Sequence, residues 1–354
     1  MASLDPVTGG TAGVVKDLAK TQAKLGLEVA IYTDDSSRSG WSDLENTEIE
    51  IFGGGLCDLR ADWQRPDLIH DHGIWLPGNH QCARFAVERK IRRIASPHGM
   101  LEPWALQHRK WKKRVAWHLY QRRDLQTADA LHATAPTEGE QFRRMGLIPP
   151  IHVVPNGVHS PVRTSPTRRR KAGVKTALFL SRIHPKKGLP MLAKAWAQER
   201  PAGWKMQVVG PDENGHRATV EALVRKLGIQ NEWSFEGRVE GAAKDEIFAG
   251  SDLFILPTYS ENFGLAVGEA LAFGIPVITT TGTPWADLRK HRCGWYVEPE
   301  VQALAAALRD AVDLEDGARA AMGARGEAWM RENFSWHAVT SRMINAYQQA
   351  LEKA

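Results

Sequence analysis

The residues best suited to chemistry crowd into one stretch, "PTYSENFGLAVGEALAFGIPVITT", residues 257 to 280. It holds two carboxylates, Glu261 and Glu269, with seven residues between them around a glycine-rich, apolar turn. Pro257 closes an apolar run that reads as a strand. From Gly264 the apolar positions Leu265, Val267, Leu271 and Phe273 suit a buried helix, ended by Gly274 and Pro276. Glu261 therefore falls on the loop before this helix. Glu269 falls inside it, about 7 Å along the axis from Gly264 at roughly 1.5 Å per residue. A helix start at the end of a parallel strand presents unpaired amides, here those of Phe263, Gly264 and Leu265, and is a ready anion site. Carboxylates do not bind phosphate, so beside such a site they address hydroxyls. The economical ligand is a sugar joined to a nucleotide, with a hydroxyl-bearing ring on either side of a diphosphate. The plainer alternative makes Glu261 a solvated loop residue and Glu269 a helix-face charge.

Other strand-end loops supply complementary groups. "SRIHPKKGL" ends a strand at Arg182 and offers Lys187 five residues on. Two cations there can hold a diphosphate and stabilise its growing charge as it leaves, or they form an ordinary solvated basic loop. "FEGRV", with Arg238 and Val239, and "VGPDENG" suit gripping a base through backbone groups. In the first half, "GGTAG" brings the backbone of Gly9 and Gly10 close to a ligand, and "SPHGM" sets His98 at a strand end. A lone histidine can equally be structural. No Asp-x-Asp metal clamp stands in a suitable place, and the Asp34-Asp35 pair reads as structural.

These loops need a scaffold, and the pattern supplies one. "EVAIYT", "DLIHDHG", "RRIASPHG", "ALHATA" and "IHVVPNG" read as strands ending at loops, with helical stretches between them such as 12–25 and 104–126. The Pro/Ser/basic segment 159–175 is the linker candidate. After it the alternation restarts with "TALFLSR", "KMQVVG", "EWSFEGR", "LFILPT" and "PVITT". Such alternation predicts parallel sheets covered on both faces. The expected fold class is α/β, with two doubly wound Rossmann-like domains at 1–160 and 161–333 and an amphipathic helix at 334–354. The first domain lacks its expected opening strand, since "MASLDPVTGG" starts almost at the loop. The expectation is a truncated or absent strand, encoded just upstream if it exists.

Composition limits the function classes. The 354 residues are 43% hydrophobic and 25% charged, which suits a globular two-domain chain. Three scattered cysteines, Cys57, Cys82 and Cys293, fit neither a metal-ligand spacing nor a disulfide framework. No apolar run reaches the length that crosses a bilayer, and no secretory leader is expected. The net charge of +5 permits an anionic partner. "HRKWKKRVAWHLYQRRD", residues 108–124, interleaves seven cations with Trp111, Trp117 and Tyr120. Such a helix can lie on an anionic membrane surface or pack its aromatics inward with solvated cations. No recognised nucleic-acid module is present, and no nucleic-acid partner is expected.

Taken together, Arg182 with Lys187, followed by Glu261 and Glu269 within "SENFGLAVGEALAFGIPVI", resembles the family-4 retaining glycosyltransferases of the GT-B fold. "TGTPWADL…CGWYV" and "SPHGMLEPWAL" resemble the branch that builds bacterial lipopolysaccharide and exopolysaccharide. The resemblance implies two Rossmann-like domains facing across a cleft, with the C-terminal helix crossing back to the first. It implies that Glu269 binds the ribose hydroxyls, that Glu261 and the Phe263–Leu265 amides bind donor-sugar hydroxyls, and that Arg182 and Lys187 hold the diphosphate. It further implies that His98 contacts the donor sugar and that Gly9 and Gly10 line the donor–acceptor junction. No cofactor or metal is implied. The donor is a nucleotide-diphosphate sugar, and the acceptor is a glycan or lipid-linked glycan. The implied location is cytoplasmic, peripheral on the inner membrane face. With no carboxylate placed as nucleophile in the first domain, same-face attack is the expected retaining route. A nucleotide-sugar epimerase of the same fold and a non-catalytic nucleotide-binding scaffold are the alternatives.

Overall fold

The computed structural model describes residues 3–5, 10–35, 40–45, 47–54, 63, 65–161 and 173–352. Gly9, Cys57 and most of the 159–175 linker candidate lie outside the described residues. The chain divides into two compact units. Unit 1 takes residues up to Gly157 together with Trp336–Ala354, and unit 2 takes Val158–Ser335.

Unit 1 runs α1 (Gly10–Lys24), β1 (Ala30–Thr33), β2 (Glu50–Gly53), β3 (Leu68–His72), α2 (Pro77–Arg89), β4 (Arg92–Ser96), α3 (Pro103–Gln107), α4 (Lys110–Ala116), α5 (Arg122–Gln126), β5 (Ala130–Ala133), α6 (Pro136–Arg144) and β6 (Ile151–Val153). Its strands form two separate parallel pieces, β1-β2 and β3-β4-β5-β6. No strand precedes α1 among the described residues, and Ser3–Asp5 are irregular. β2 was not legible, because "EIEIFGG" is four residues of strand sitting half-exposed at a sheet edge. The predicted continuous helix over 104–126 is broken. Arg109 adopts φ 52°, a left-handed conformation that separates α3 from α4. Trp117–Gln121 then forms a π-helical turn before α5.

Unit 2 runs β7 (Lys175–Leu180), α7 (Leu189–Glu199), β8 (Trp204–Val209), α8 (His216–Lys226), β9 (Trp233–Glu236), α9 (Gly241–Ala249), β10 (Leu253–Leu256), α10 (Leu265–Ala272), β11 (Val277–Thr280), α11 (Leu288–His291), β12 (Gly294–Val297), α12 (Val301–Asp313) and α13 (Asp316–Asn333). The last helix, α14 (Trp336–Glu352), belongs to unit 1 and packs on α1. The six strands of unit 2 are parallel, in the order β12-β11-β10-β7-β8-β9. That order reverses between β7 and β10, which makes the junction of these two strands the switch point where α/β sheets bind ligands. Every residue of β10 and β11 is buried. Strands covered on both faces read as unbroken apolar runs, which is why "LFILPT" and "PVITT" were legible. β12 was not predicted as a strand, because "GWYV" is half-exposed throughout.

Candidate functional site

The switch point of unit 2 gathers the residues singled out in the sequence. β7 leads through Arg182 to a single 3-10 turn, Pro185–Lys187. Gly188 closes that turn with φ +73°, and a Cβ there would stand 1.9 Å from the Pro257 carbonyl oxygen. Only glycine allows this approach. The turn is stitched to the β10 loop, because the Lys186 carbonyl accepts from the Tyr259 amide at 2.9 Å and from the Thr258 hydroxyl at 3.1 Å. Lys187 is thereby carried inward. It is only 6% exposed, and its ammonium donates to the Glu261 carboxylate. Glu261 is itself held by its amide, which donates to the Gly282 carbonyl at 2.7 Å.

Gly264 precedes α10 with φ +76°, so the chain turns into the helix in a conformation that favours glycine. The indole of Trp285 donates to the Phe263 carbonyl at 2.6 Å and fixes the approach. The first-turn amides of a helix lack intrahelical acceptors, so this end of α10 faces the switch point with donors to spare. Glu269, farther along α10, accepts from Lys244 of α9 at 2.6 Å. Both carboxylates are thus anionic partners of lysines, one pair on each side of the α10 start. Lys244 was missed in the sequence. It sits nine residues before β10 begins at Leu253, in "GAAKDEIFA", a helix with no marked apolar face to orient it.

Arg182 lies apart from this pair. Its guanidinium donates to Glu213 at 2.7 Å, and its side chain is 60% exposed. The two cations expected to share a diphosphate therefore rest on separate carboxylates, Glu213 and Glu261. His184, between them, accepts from the Lys186 amide through Nδ1 at 3.0 Å, and burial lowers its pKa. Arg238 follows β9 and pairs with Glu240, and Val239 is partly buried against the core.

In unit 1, His98 follows β4 with φ 51°. Far from being a lone histidine, it is bonded through Nε2 to Nδ1 of His72 at 2.9 Å, and the two rings stack. The next residue is clamped as well. The buried Glu138 carboxylate accepts from the Gly99 amide at 2.6 Å and from the Thr134 amide at 2.7 Å. Below lies a directed chain. His132 Nε2 meets the Val154 carbonyl at 2.7 Å, so it carries the proton and leaves Nδ1 to accept. The Ser96 hydroxyl donates to that Nδ1 at 2.6 Å and accepts from His70 Nε2 at 2.6 Å. His70 Nδ1 then accepts from the Tyr347 hydroxyl of α14 at 2.7 Å, and Tyr347 accepts from Gln22 at 2.7 Å. Burial is the main cause that lowers all four histidines. His98 falls to about 3 and His132 to about 4, with His70 and His72 well below the ordinary value. The rings are therefore neutral hydrogen-bonding groups at neutral pH. The sequence carried a signal for this cluster, because His70 and His72 are two apart on one strand and so share a face. Gly10 opens α1.

Two family profiles match the chain: "Glycosyl transferases group 1" over residues 164–329 and "Glycosyl transferase 4-like domain" over 9–157. A D-inositol 3-phosphate glycosyltransferase of Thermobispora bispora is 26% identical over 402 aligned residues, covering 98% of this chain and 92% of that protein. A second, of Streptomyces scabiei, is 30% identical over 310 residues, covering 80% of this chain and 68% of that one. Among solved structures, Alr3699/HepE of Anabaena in complex with UDP and glucose superposes with a TM-score of 0.79 at 20% identity, covering 99% and 98% of the two chains. That likeness establishes the GT-B fold of two Rossmann-like domains. The family matches favour transfer over the epimerase and scaffold readings. The chain belongs to the group 1 glycosyltransferases and is a nucleotide-sugar glycosyltransferase.

Proposed function

We propose that the protein is a retaining, metal-independent hexosyltransferase that moves a sugar from a nucleotide-diphosphate donor to a lipid-linked glycan hydroxyl at an anionic membrane surface. The observation that carries the donor reading is the pair of lysine–carboxylate contacts, Lys187–Glu261 and Lys244–Glu269, on either side of the α10 start. A diphosphate sugar suits this set. Its anionic centre takes the helix-start amides and Lys187, and its two hydroxyl-bearing rings take the carboxylates. In this reading Glu269 accepts from the ribose hydroxyls, and Glu261 with the Phe263–Leu265 backbone addresses the sugar. Arg182 and Lys187 exchange their resting carboxylates for phosphate oxygens, while Arg238 and Val239 border the base. In unit 1 the neutral His98 ring serves as a sugar-hydroxyl contact, and Gly10 lies at the start of α1.

The step breaks the bond between the anomeric carbon and the phosphate oxygen and forms one to the acceptor oxygen on the same face. The acceptor proton passes to the departing phosphate. Lys187 is suited to this because charge on that phosphate grows as the bond breaks, and a buried cation interacts with it more strongly than an exposed one. The anomeric configuration of the product, read by proton NMR, tests the stereochemistry. An axial donor giving an axial product is expected, and an inverted product overturns the reading.

The acceptor reading rests on the segment 104–119. Trp104, Trp111, Val115 and Leu119 are exposed there, Trp111 to 68% and Leu119 to 75%, and α4 buries none of its residues. Exposed aromatics beside Lys110, Lys112, Lys113 and Arg114 are what an anionic lipid interface binds. Among the described residues no helix is long and apolar enough to cross a membrane, and the contact in this reading is a peripheral one, on the inner face. A phosphorylated polyol acceptor is the second reading, favoured by the activity for which the relatives are named. Transfer to inositol 3-phosphate in the absence of lipid would select it.

A further inference from the structure

The four histidine rings of unit 1 are not equivalent. His70 has both nitrogens engaged, Nδ1 with the Tyr347 hydroxyl at 2.7 Å and Nε2 with Ser96 at 2.6 Å. His132 does too, Nδ1 with Ser96 at 2.6 Å and Nε2 with the Val154 carbonyl at 2.7 Å. Neither ring has a nitrogen left for a ligand. His98 differs. Its Nε2 is taken up by Nδ1 of His72 at 2.9 Å, and its Nδ1 has no hydrogen-bond partner among the described residues. His98 is also partly exposed, whereas His72 is only 8% exposed. Of the two, His98 can touch a ligand and His72 can act only through it.

The backbone of His98 is fixed apart from its ring. Its φ of 51° is uncommon for a residue with a side chain, and such conformations persist where the surroundings determine them. Here the Gly99 amide donates to the buried Glu138 at 2.6 Å, and the Met100 amide to the Pro97 carbonyl at 3.1 Å. These bonds leave open the rotation of the ring and the choice of nitrogen that carries its proton. His72 settles both. Its ring lies between that of His70, with centroids 4.0 Å apart, and that of His98, at 5.2 Å with 17° between the planes. Of two neutral imidazoles joined by one hydrogen bond, one facing nitrogen donates and the other accepts. The state of His98 Nε2 dictates the opposite state of His98 Nδ1.

We infer that His72 is a positioning residue for transfer: by holding His98 Nε2 it fixes that ring and its tautomer, leaving Nδ1 as the one nitrogen that a donor-sugar hydroxyl meets. The inference rests on the reading of His98 as a sugar contact. A ring that alternated between tautomers would present the matching nitrogen only part of the time, and a fixed partner behind the contact removes that loss.

Proton–nitrogen correlation spectra of the isotope-labelled chain report the His98 tautomer with no donor present. The wild type should hold one tautomer, and averaged ring-nitrogen signals overturn the inference. His72→Phe keeps a ring in the stack and removes the bond. It should average the His98 signals and lower kcat/KM by about 10-fold or more, on whichever of a panel of nucleotide-diphosphate sugars the wild type uses fastest. His72→Asn, whose amide reaches the place of Nδ1, should recover most of that rate, which a folding defect would not explain. Adding His72→Phe to His98→Phe should cost nothing further, because His72 acts only through that ring. Losses that multiply in the double variant, or an unchanged rate in folded His72→Phe, overturn the inference. An unchanged rate in His98→Phe also overturns it, through the sugar-contact reading, and a single wild-type tautomer would then show that the His72 bond itself was read correctly.

Discussion

Lys187 and Glu269 carry opposite burdens. Lys187 is buried and paired with an acid that is itself nearly buried, so removing either partner strands a charge. Lys187→Ala should lower turnover about 10²–10³-fold, with a smaller loss in donor affinity, because its work grows with the charge on the leaving phosphate. Some of that loss could come from instability, so the double variant Lys187→Met with Glu261→Gln provides the control. It should regain melting temperature but not turnover. Equal losses of kcat and donor affinity would make Lys187 a simple binder. Glu269→Ala should weaken donor binding by about 10-fold or more, as expected for a hydrogen bond to a charged acceptor worth roughly 1.5–3 kcal/mol. Lys244 is partly exposed, and such a pair contributes little in water. Lys244→Ala should therefore change affinity by less than about 5-fold. Calorimetric titration with the preferred donor separates the two, and a larger effect for Lys244 would contradict the ribose assignment.

At the scale of elements, the buried histidines of β3, β4 and β5 make stability depend on pH. Their folded pKa values are depressed below the ordinary 6.5, so the unfolded chain binds more protons on acidification. The stability they contribute is present above pH 6.5 and is lost as pH falls from there toward about 3–4, where His98 and His132 titrate in the fold. Each contributes at most about 1.4 kcal/mol per pH unit across that window. Urea midpoints at pH 7.5 and 5.5 should differ clearly, and a flat profile would show that the cluster accepts protons without unfolding. The strands that hold these histidines were legible because they are short β-branched runs ending at loops. β2 and β12 were not, because half-exposed edge strands carry no unbroken apolar run. The helix over 104–126 was misread as continuous, since neither the left-handed Arg109 nor the π-helical turn leaves a mark in residue spacing. In the site, Glu261, Glu269 and Lys187 were legible from their spacing around strand ends. Their partners Lys244 and Glu213 were not, because pairing between elements is set by sheet order rather than by distance along the chain. For α4, replacing Lys112, Lys113 and Arg114 with Gln should reduce sedimentation with anionic vesicles while hydrolysis of soluble donor persists. Undiminished sedimentation would return this helix to a solvated face.

At the scale of the whole molecule, the chain joins the group 1 glycosyltransferase fold to a particular charge arrangement, and the two can be tested together. The most direct measurement is release of nucleoside diphosphate from a panel of nucleotide-diphosphate sugars, by the wild-type chain and by the Lys187→Met, Glu261→Gln double variant, in excess EDTA. The wild type should release diphosphate from one donor in the panel with no loss to the chelator. The folded double variant should be slower by about two orders of magnitude or more on that same donor. Release abolished by EDTA, or an unchanged rate in the double variant, would contradict the claim that Lys187 at the β7–β10 switch point stabilises the leaving phosphate.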